Sequence, residues 1–162
     1  MMNGLTIRDA IWPQDEAAAL SFIDGSQAFE HAFEPNRRLD ARVAAEFLPV
    51  LMKAMADHRG IARIAERDGR AIGWVVAWPE DDDLYVVAEE RRIVYISELF
   101  VAEDARGAGV GRALIGSCED WARAQGVGVM HIGVLPGNAR ADAIYRHAGY
   151  ATYAVRLRKY LR

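Results

Sequence analysis

The most informative stretch of the sequence is LFVAEDARGAGVGR, residues 99–112. Its first three residues end an apolar strand, and glycines follow at positions 107, 109 and 111. The pattern then becomes that of an amphipathic helix, whose apolar face consists of Val110, Leu114, Cys118 and Trp121. Glycine permits positive φ and lets the backbone approach a ligand closely. Because a helix that begins in such a turn directs its free amides and positive dipole end to one place, the stretch predicts a phosphate-binding site.

Two common nucleotide-binding motifs do not fit this turn. The dinucleotide motif G-x-G-x-x-G would begin at Gly107 and Gly109, but Arg112 stands where its third glycine belongs. The P-loop motif G-x-x-x-x-G-K-[ST] is absent from the chain, which disfavours an ATP-binding domain of that kind. The spacing that fits is R-x-x-G-x-G, from Arg106 to Gly111. Taken alone, this spacing is equally compatible with an ordinary tight turn between a strand and a helix.

The residues on either side of the turn predict a mixed sheet with helices on both of its faces. Residues 71–78 are apolar on both faces and predict a central strand, with Ile72, Trp74, Val76 and Trp78 on one buried face. Further strands are predicted at residues 5–8, 61–66, 93–101, 127–135 and 150–161, the last as a single strand or a strand pair. Helices are predicted at residues 13–29, 40–59, 107–125 and 138–149.

The composition predicts one globular domain over residues 1–162. Hydrophobic residues make up 52% and charged residues 27% of the chain, which excludes a disordered protein and a disulfide scaffold. The net charge of -3 argues against a protein that mainly binds nucleic-acid backbone. No targeting segment and no apolar run of about 20 residues is visible, so the expected location is the cytoplasm, without a membrane partner.

The cysteine and histidine residues do not form a metal-binding pattern. Cys118 is the only cysteine, so no intrachain disulfide can form, and a reducing compartment is expected. Its place on the apolar helix face favours a small core residue over a nucleophile. The four histidines are scattered, at His31, His58, His131 and His147. No metal-ligand spacing results, and no metal is expected.

Two motifs together resemble the GNAT superfamily of N-acetyltransferases. R-x-x-G-x-G at residues 106–111, after a strand end and before an amphipathic helix, is similar to the acyl-CoA signature of that superfamily. N-x-x-A-x-x-x-Y-x-x-x-G-Y at residues 138–150 is similar to its second signature, in which the last residue is more often Phe. The resemblance implies the GNAT-like acyl-CoA N-acyltransferase fold of the α/β (α+β) class, with a mixed, mostly antiparallel central sheet and helices on both faces.

The resemblance implies that acetyl-CoA is the co-substrate. Its pyrophosphate would be held by amides of the turn, namely those of Arg106, Gly107, Ala108, Gly109, Val110, Gly111 and Arg112. Its pantetheine arm would pair with the strand end Leu99, Phe100 and Val101 like an added strand. An amide there, that of Val101, would polarise the thioester carbonyl. Asn138 would contact the pantetheine arm, although an asparagine at a helix start is also a common N-cap.

Tyr145 and Glu98 are the candidate catalytic residues. The resemblance implies that the Tyr145 hydroxyl points at the thioester sulfur, where a tyrosine with a pKa of about 10 can donate a proton without being ionised at neutral pH. Core packing is the alternative for this side chain. Glu98 lies on the predicted strand beside the acetyl site, where burial would raise its pKa toward that of a general base. The alternatives for Glu98 are an ion pair with an arginine, or a water chain that serves as the base.

The expected function is transfer of an acetyl group to a primary amine of a small molecule or peptide, by direct attack in a ternary complex. The alternative is a binding module of the same fold that holds acyl-CoA without turnover. The specificity surface is expected at residues 31–38, at the start of the second helix and in the C-terminal strands. By analogy, the resemblance also suggests a homodimer through those strands.

Overall fold

The structure, a computed structural model, describes residues 4–161 and contains a five-stranded sheet. The strands are β1 (Leu5–Asp9), β2 (Ile61–Arg67), β3 (Arg70–Asp81), β4 (Arg92–Val101) and β5 (Val129–Ile132), in that spatial order. Neighbouring strands are antiparallel except β4 and β5, which are parallel. The helices are α1 (Glu16–His31), α2 (Val43–Asp57), α3 (Ala88–Arg91), α4 (Val110–Ala124) and α5 (Ala139–His147), and a 3-10 turn covers Glu103–Ala105.

Helix α4 packs against one face of the sheet through the predicted stripe. Val110, Leu114 and Cys118 are buried there together with Ala122, and Trp121 is partly buried beside them. Burial raises the pKa of the Cys118 thiol to about 12, so the thiol stays protonated and unreactive at neutral pH. The prediction that Cys118 is a small core residue is therefore confirmed.

Helices α1 and α2 cover the other face, which confirms the mixed sheet with helices on both sides. The aromatic core under α1 includes Phe22 and Trp74, whose ring centroids are 6.1 Å apart. Gly25 allows α1 to approach β4 closely, because a Cβ at this position would lie 2.5 Å from the ring of Phe100. The close approach brings the C-terminal end of α1 near the end of β4. No helix within residues 4–161 is long and apolar enough to cross a membrane.

The prediction that Ile72 shares a face with Trp74 is wrong, because Ile72 lies in the core under α4. Ala65 pairs with Gly73 and Glu66 pairs with Ala71, so the register skips Ile72. This β-bulge turns the Ile72 side chain to the opposite face of the sheet.

Strands β4 and β5 separate part of the way along β4. Their parallel pairing ends at Ile96 and Ile132, whereas β4 continues beside β3 as far as Val101. Residues 97–101 therefore have a strand partner on one side only. β5 covers only Val129–Ile132, so the strand predicted at 127–135 is shorter than expected, and the chain then passes through Pro136 and Gly137, which has a φ of +89°. The separation leaves an open backbone edge on β4.

The prediction of a strand at residues 150–161 is wrong, because the structure has no strand in this described segment. Alternating apolar residues give it a strand-like pattern, but no sheet edge pairs with its backbone. Val155 is 75% exposed and Leu157 is 89% exposed. The strands through which a homodimer was expected are thus missing from residues 4–161, and the homodimer stays a prediction.

Candidate active site

The glycine-rich turn places free backbone amides at the start of α4. Gly107 and Gly109 have φ of +83° and +79°, which residues with a Cβ rarely adopt. The first helical hydrogen bond joins the amide of Ala113 to the carbonyl of Gly109 at 3.0 Å. The amides that precede this bond belong to Val110, Gly111 and Arg112. Among the described residues no side chain caps this helix start, and its first turn contains no acidic residue, so the positive dipole end is available to an anion.

The side chain of Arg106 turns away from the glycines. Its Nε donates to the carbonyl of Val101 at 2.9 Å, and its guanidinium lies over the rings of Phe29 and Phe100, at 4.8 and 5.6 Å from their centroids. The amide of Arg106 donates to the carbonyl of Glu103 at 3.3 Å. Arg106 therefore fastens α1 and the end of β4 to the turn. Contact between its amide and a pyrophosphate stays a prediction.

The open edge of β4 presents the backbone of Leu99 and Val101. The hydrogen-bonding direction alternates along an antiparallel strand. Because the amide of Ala102 donates to the carbonyl of Ile72 at 2.9 Å, the amide of Phe100 also points toward β3. The amides of Leu99 and Val101 consequently point toward the open edge, where both can pair with an added strand, whereas the carbonyl of Val101 already accepts from Arg106. The side chain of Phe100 packs in the core under α1.

A cleft of about 1850 Å³ lies between this edge, the ends of α1 and α2, and the C-terminal segment. Both predicted catalytic residues, Glu98 and Tyr145, line it, and so does Leu99. One cleft is thus lined by two side chains that are 47 positions apart in the sequence. The glycine-rich turn lies outside this cleft, past the end of β4.

A second β-bulge determines where Glu98 points. Val76 pairs with Glu98 and Ala77 pairs with Ile96, so the register skips Ser97. Val76 lies on the face covered by α1 and α2, and the residue opposite it in the ladder shares that face. Glu98 therefore points to the side of the sheet on which α1 ends.

The pKa values of the cleft residues depend on burial and on Glu30. Burial first, and then the charge of Glu30, raise the pKa of Glu98 to about 7, while Arg37 opposes the rise. Burial, with a further contribution from Glu30, raises the pKa of Tyr145 to about 12. At neutral pH Glu98 is therefore partly ionised and can accept a proton, whereas the Tyr145 hydroxyl stays protonated and can donate one.

Glu30 and Arg37 line the same cleft, and the sequence did not single them out. Glu30 is near the end of α1 and Arg37 is in the loop that follows, with its Nε 2.9 Å from Oε2 of Glu30. Nδ1 of His31 lies 2.9 Å from the carbonyl oxygen of Arg37 and holds this loop. The only sequence feature that pointed to this part of the cleft was the specificity surface expected at residues 31–38. Helical spacing does not distinguish a carboxylate in a cleft from one in solvent.

The side chain of Asn138 caps α5. Its Oδ1 accepts a hydrogen bond from the amide of Ala141 at 3.1 Å, and its own amide donates to the carbonyl of Leu135 at 3.1 Å. The side-chain Nδ2 is the donor that these two bonds do not use. Contact between Asn138 and a pantetheine arm therefore stays a prediction, for which Nδ2 is the available atom.

Solved structures of other proteins have the same fold. A Bacillus halodurans protein, solved as a tetramutant, has a TM-score of 0.82 at 20% identity and aligns over 96% of this chain and 99% of its own. A predicted acetyltransferase with acetyl-CoA, from Clostridium acetobutylicum, has a TM-score of 0.71 at 17% identity over 96% of each chain. An aminoglycoside acetyltransferase from a soil metagenome, in complex with trehalose, has a TM-score of 0.65 at 19% identity over 99% of this chain and 98% of its own.

Sequence comparison identifies the family. An uncharacterised N-acetyltransferase of Methanocaldococcus jannaschii is 30% identical over 87 residues, 54% of this chain, and the match covers 37% of that relative's length. Residues 24–150 match the model of the acetyltransferase (GNAT) family, a range that includes both motifs and both candidate catalytic residues. Acetyl transfer is the general reaction of that family. The chain therefore belongs to the GNAT acetyltransferase family.

Proposed function

We propose that this chain transfers the acetyl group of acetyl-CoA to a primary amine of a small molecule or peptide, by direct attack in a ternary complex. The observation that supports this is the open edge of β4, which runs from the cleft to the glycine-rich turn. When the pantetheine arm of acetyl-CoA pairs along this edge, its pyrophosphate lies near the free amides at the start of α4. The thioester carbon at the other end of the arm then lies on the side of Glu98 and Tyr145. The acetyl-CoA in the Clostridium acetobutylicum relative supports the same ligand.

The described residues fit acetyl-CoA. A Cβ at Gly107 would meet nothing within 4 Å, so the space around this part of the turn is open. The free amides at the start of α4 suit a pyrophosphate, since they combine hydrogen-bond donors with the positive dipole end. The net charge of -3 means that the chain has no general excess of positive charge to bind an anion. The affinity therefore comes mainly from backbone amides at one place.

A backbone amide of β4 and Tyr145 act on the two atoms of the thioester whose charge changes. The sequence assigns the first role to Val101, but Leu99 is the residue of the open edge that lines the cleft, so the amide of Leu99 donates a hydrogen bond to the carbonyl oxygen and stabilises the negative charge that develops there. The hydroxyl of Tyr145, with its pKa at about 12, donates to the leaving sulfur. A backbone amide fixed in β4 and a hydroxyl on α5 need little reorientation when the amine attacks, which would lower the cost of stabilising the developing charge.

Glu98 removes a proton from the incoming ammonium group. An alkylammonium with a pKa of about 10.4 is neutral in roughly one molecule in 2,500 at pH 7. The carboxylates of Glu30 and Glu98 attract this cation, but their negative charge also favours its protonated form. A base within the cleft is therefore needed, and the pKa of Glu98, at about 7, suits proton transfer at neutral pH.

Release of the CoA thiol from acetyl-CoA in the presence of a panel of primary amines tests this function. We expect amine-dependent thiol release, and a thermal shift with CoA but none with NAD or ATP. A shift with CoA together with no thiol release for any amine would support the non-catalytic binding module. A shift with NAD or ATP and none with CoA would contradict both functions.

A further inference from the structure

Residues 151–158, here called the C-terminal strap, cross the cleft between two anchors. At one anchor, the ring centroid of Tyr153 is 4.7 Å from that of His131 on β5. At the other, Nη2 of Arg158 donates to Oε2 of Glu34 at 2.6 Å, in the loop after α1. The strap therefore runs from the sheet edge to the α1–α2 loop. All of its residues except Leu157 line the cleft.

Five arginines line the cleft, and four of them have carboxylate partners. Arg37 pairs with Glu30, Arg38 with Asp40 and Glu46, Arg123 with Glu119 and Asp120, and Arg158 with Glu34. The fifth, Arg156, has no carboxylate partner within residues 4–161. A guanidinium binds a carboxylate through two parallel hydrogen bonds, which makes an unpaired arginine beside a substrate cleft a suitable anion receptor.

Arg156 lines the same cleft as Tyr95 and Glu98. Burial raises the pKa of Tyr95, and the positive charge of Arg156 opposes that rise. Glu80 lines the cleft as well and accepts a hydrogen bond from Nε1 of Trp78 at 3.2 Å. Tyr95 precedes Glu98 by three residues on β4, and a strand rises about 3.3 Å per residue, so roughly 7–10 Å separate them.

We propose that Arg156 binds a carboxylate of the acceptor, and that the acceptor is a small amino acid whose reacting amine is several bonds away from that carboxylate. The assignment rests on the proposed function, because it places the amine beside Glu98. The carboxylate of Glu98 receives the cationic end of such a molecule. Arg156, held between the two anchors of the strap, receives the anionic end.

The test compares kcat/KM for 6-aminohexanoate and hexylamine, which differ only in the carboxylate. The wild-type protein is expected to prefer 6-aminohexanoate by about tenfold or more, as one charge-assisted contact allows. Arg156→Gln reduces this preference to about threefold or less by raising KM for 6-aminohexanoate, and leaves hexylamine unchanged. Arg156→Lys keeps part of the preference, because it retains the charge without the planar fork.

Lys159→Gln is the matched control, since it removes one positive charge just beyond the strap from a residue that does not line the cleft. This variant is expected to keep the full preference. Equal kcat/KM for the two amines in the wild-type protein, or an unchanged preference in Arg156→Gln, would overturn the assignment of Arg156 alone. No thiol release with any amine would overturn the proposed function, and the assignment with it.

Discussion

The two ends of the candidate site are built from different parts of the chain. At the glycine-rich turn, residues 107–112, the groups available to a ligand are backbone amides at the start of one helix. At the cleft they are side chains from separate elements, such as Glu30 of α1, Glu98 of β4 and Arg156 of the strap. The glycine-rich turn is formed by glycines at fixed spacing in the sequence, whereas the cleft forms only when distant parts of the chain fold together. Under the proposed function, we therefore expect that substitutions in the cleft can change acceptor recognition while CoA binding stays intact.

The largest expected effect is at the backbone end. Gly109→Glu places a carboxylate at the free amides and requires a residue with a Cβ to adopt a φ of +79°. The new charge repels a pyrophosphate at close range, so CoA affinity is expected to fall by about a hundredfold or more. Isothermal titration calorimetry with CoA measures the change.

Gly116→Glu is the matched control for that variant. It adds the same charge to α4 at an ordinary backbone conformation, where a Cβ meets nothing within 4 Å. CoA affinity is expected to stay within about twofold of the wild-type value. Unchanged CoA affinity in Gly109→Glu would show that the turn is an ordinary strand-to-helix connection.

The next largest effect tests the side-chain end. Tyr145→Phe removes the proposed donor to the leaving sulfur and keeps the ring, so kcat is expected to fall by about a hundredfold with CoA affinity nearly unchanged. Because the pKa of Tyr145 is about 12, the loss does not depend on pH between 6 and 10. Steady-state kinetics over this range measure it. Tyr85→Phe, at an exposed tyrosine outside the cleft, keeps full activity. Full turnover by Tyr145→Phe at every pH excludes the hydroxyl as the acid.

Glu98→Gln is expected to cost less, about tenfold to thirtyfold in kcat/KM at pH 7.5, because water can replace part of the function of a general base. In the wild-type protein we expect kcat/KM to rise with pH up to about 7 and then to level, as Glu98 loses its proton. The variant lacks this bend and instead rises steadily toward the pKa of the amine. A bend at about 7 in Glu98→Gln would assign it to another group.

Measuring the stability of Glu98→Gln shows whether a lower activity comes from loss of the base or from unfolding of the protein. Folding raises the pKa of Glu98 from 4.5 to about 7, so the charged form opposes folding. This penalty is absent below about pH 4.5 and is complete above about pH 7. Glu98→Gln therefore raises the free energy of unfolding by about 1–2 kcal/mol at pH 8 and by less at pH 5, after allowance for partial exposure. Urea unfolding at both pH values checks this, with Glu89→Gln as the exposed control.

The difference between the glycine-rich turn and the cleft also explains which features could be predicted from sequence. The glycine-rich turn and the α4 stripe are local patterns, so the turn, the helix after it and its buried face were predicted correctly, while the binding role of the turn stays a prediction. Ile72 was assigned to the wrong face, because a β-bulge is a property of the strand pairing and not of the strand's own pattern. The apolar alternation at residues 150–161 could not show that no sheet edge would pair with it. Glu30 and Arg156 were missed because charged residues on a helix or tail have the pattern of a solvated surface.

The smallest expected effect concerns Asn138, whose side chain caps α5 and is also predicted to contact the pantetheine arm. Oδ1 caps α5, and loss of an N-cap costs about 1 kcal/mol, so Asn138→Ala is expected to lower the free energy of unfolding by that amount. Asn138→Ser keeps a capping oxygen but removes Nδ2. If Nδ2 donates to the pantetheine arm, Asn138→Ser folds as stably as the wild-type protein and binds CoA about threefold to tenfold more weakly. Chemical unfolding and calorimetry measure the two properties separately. Wild-type CoA affinity in Asn138→Ser would mean that Asn138 only caps the helix, because Nδ2 is the one donor that its observed hydrogen bonds leave to a ligand.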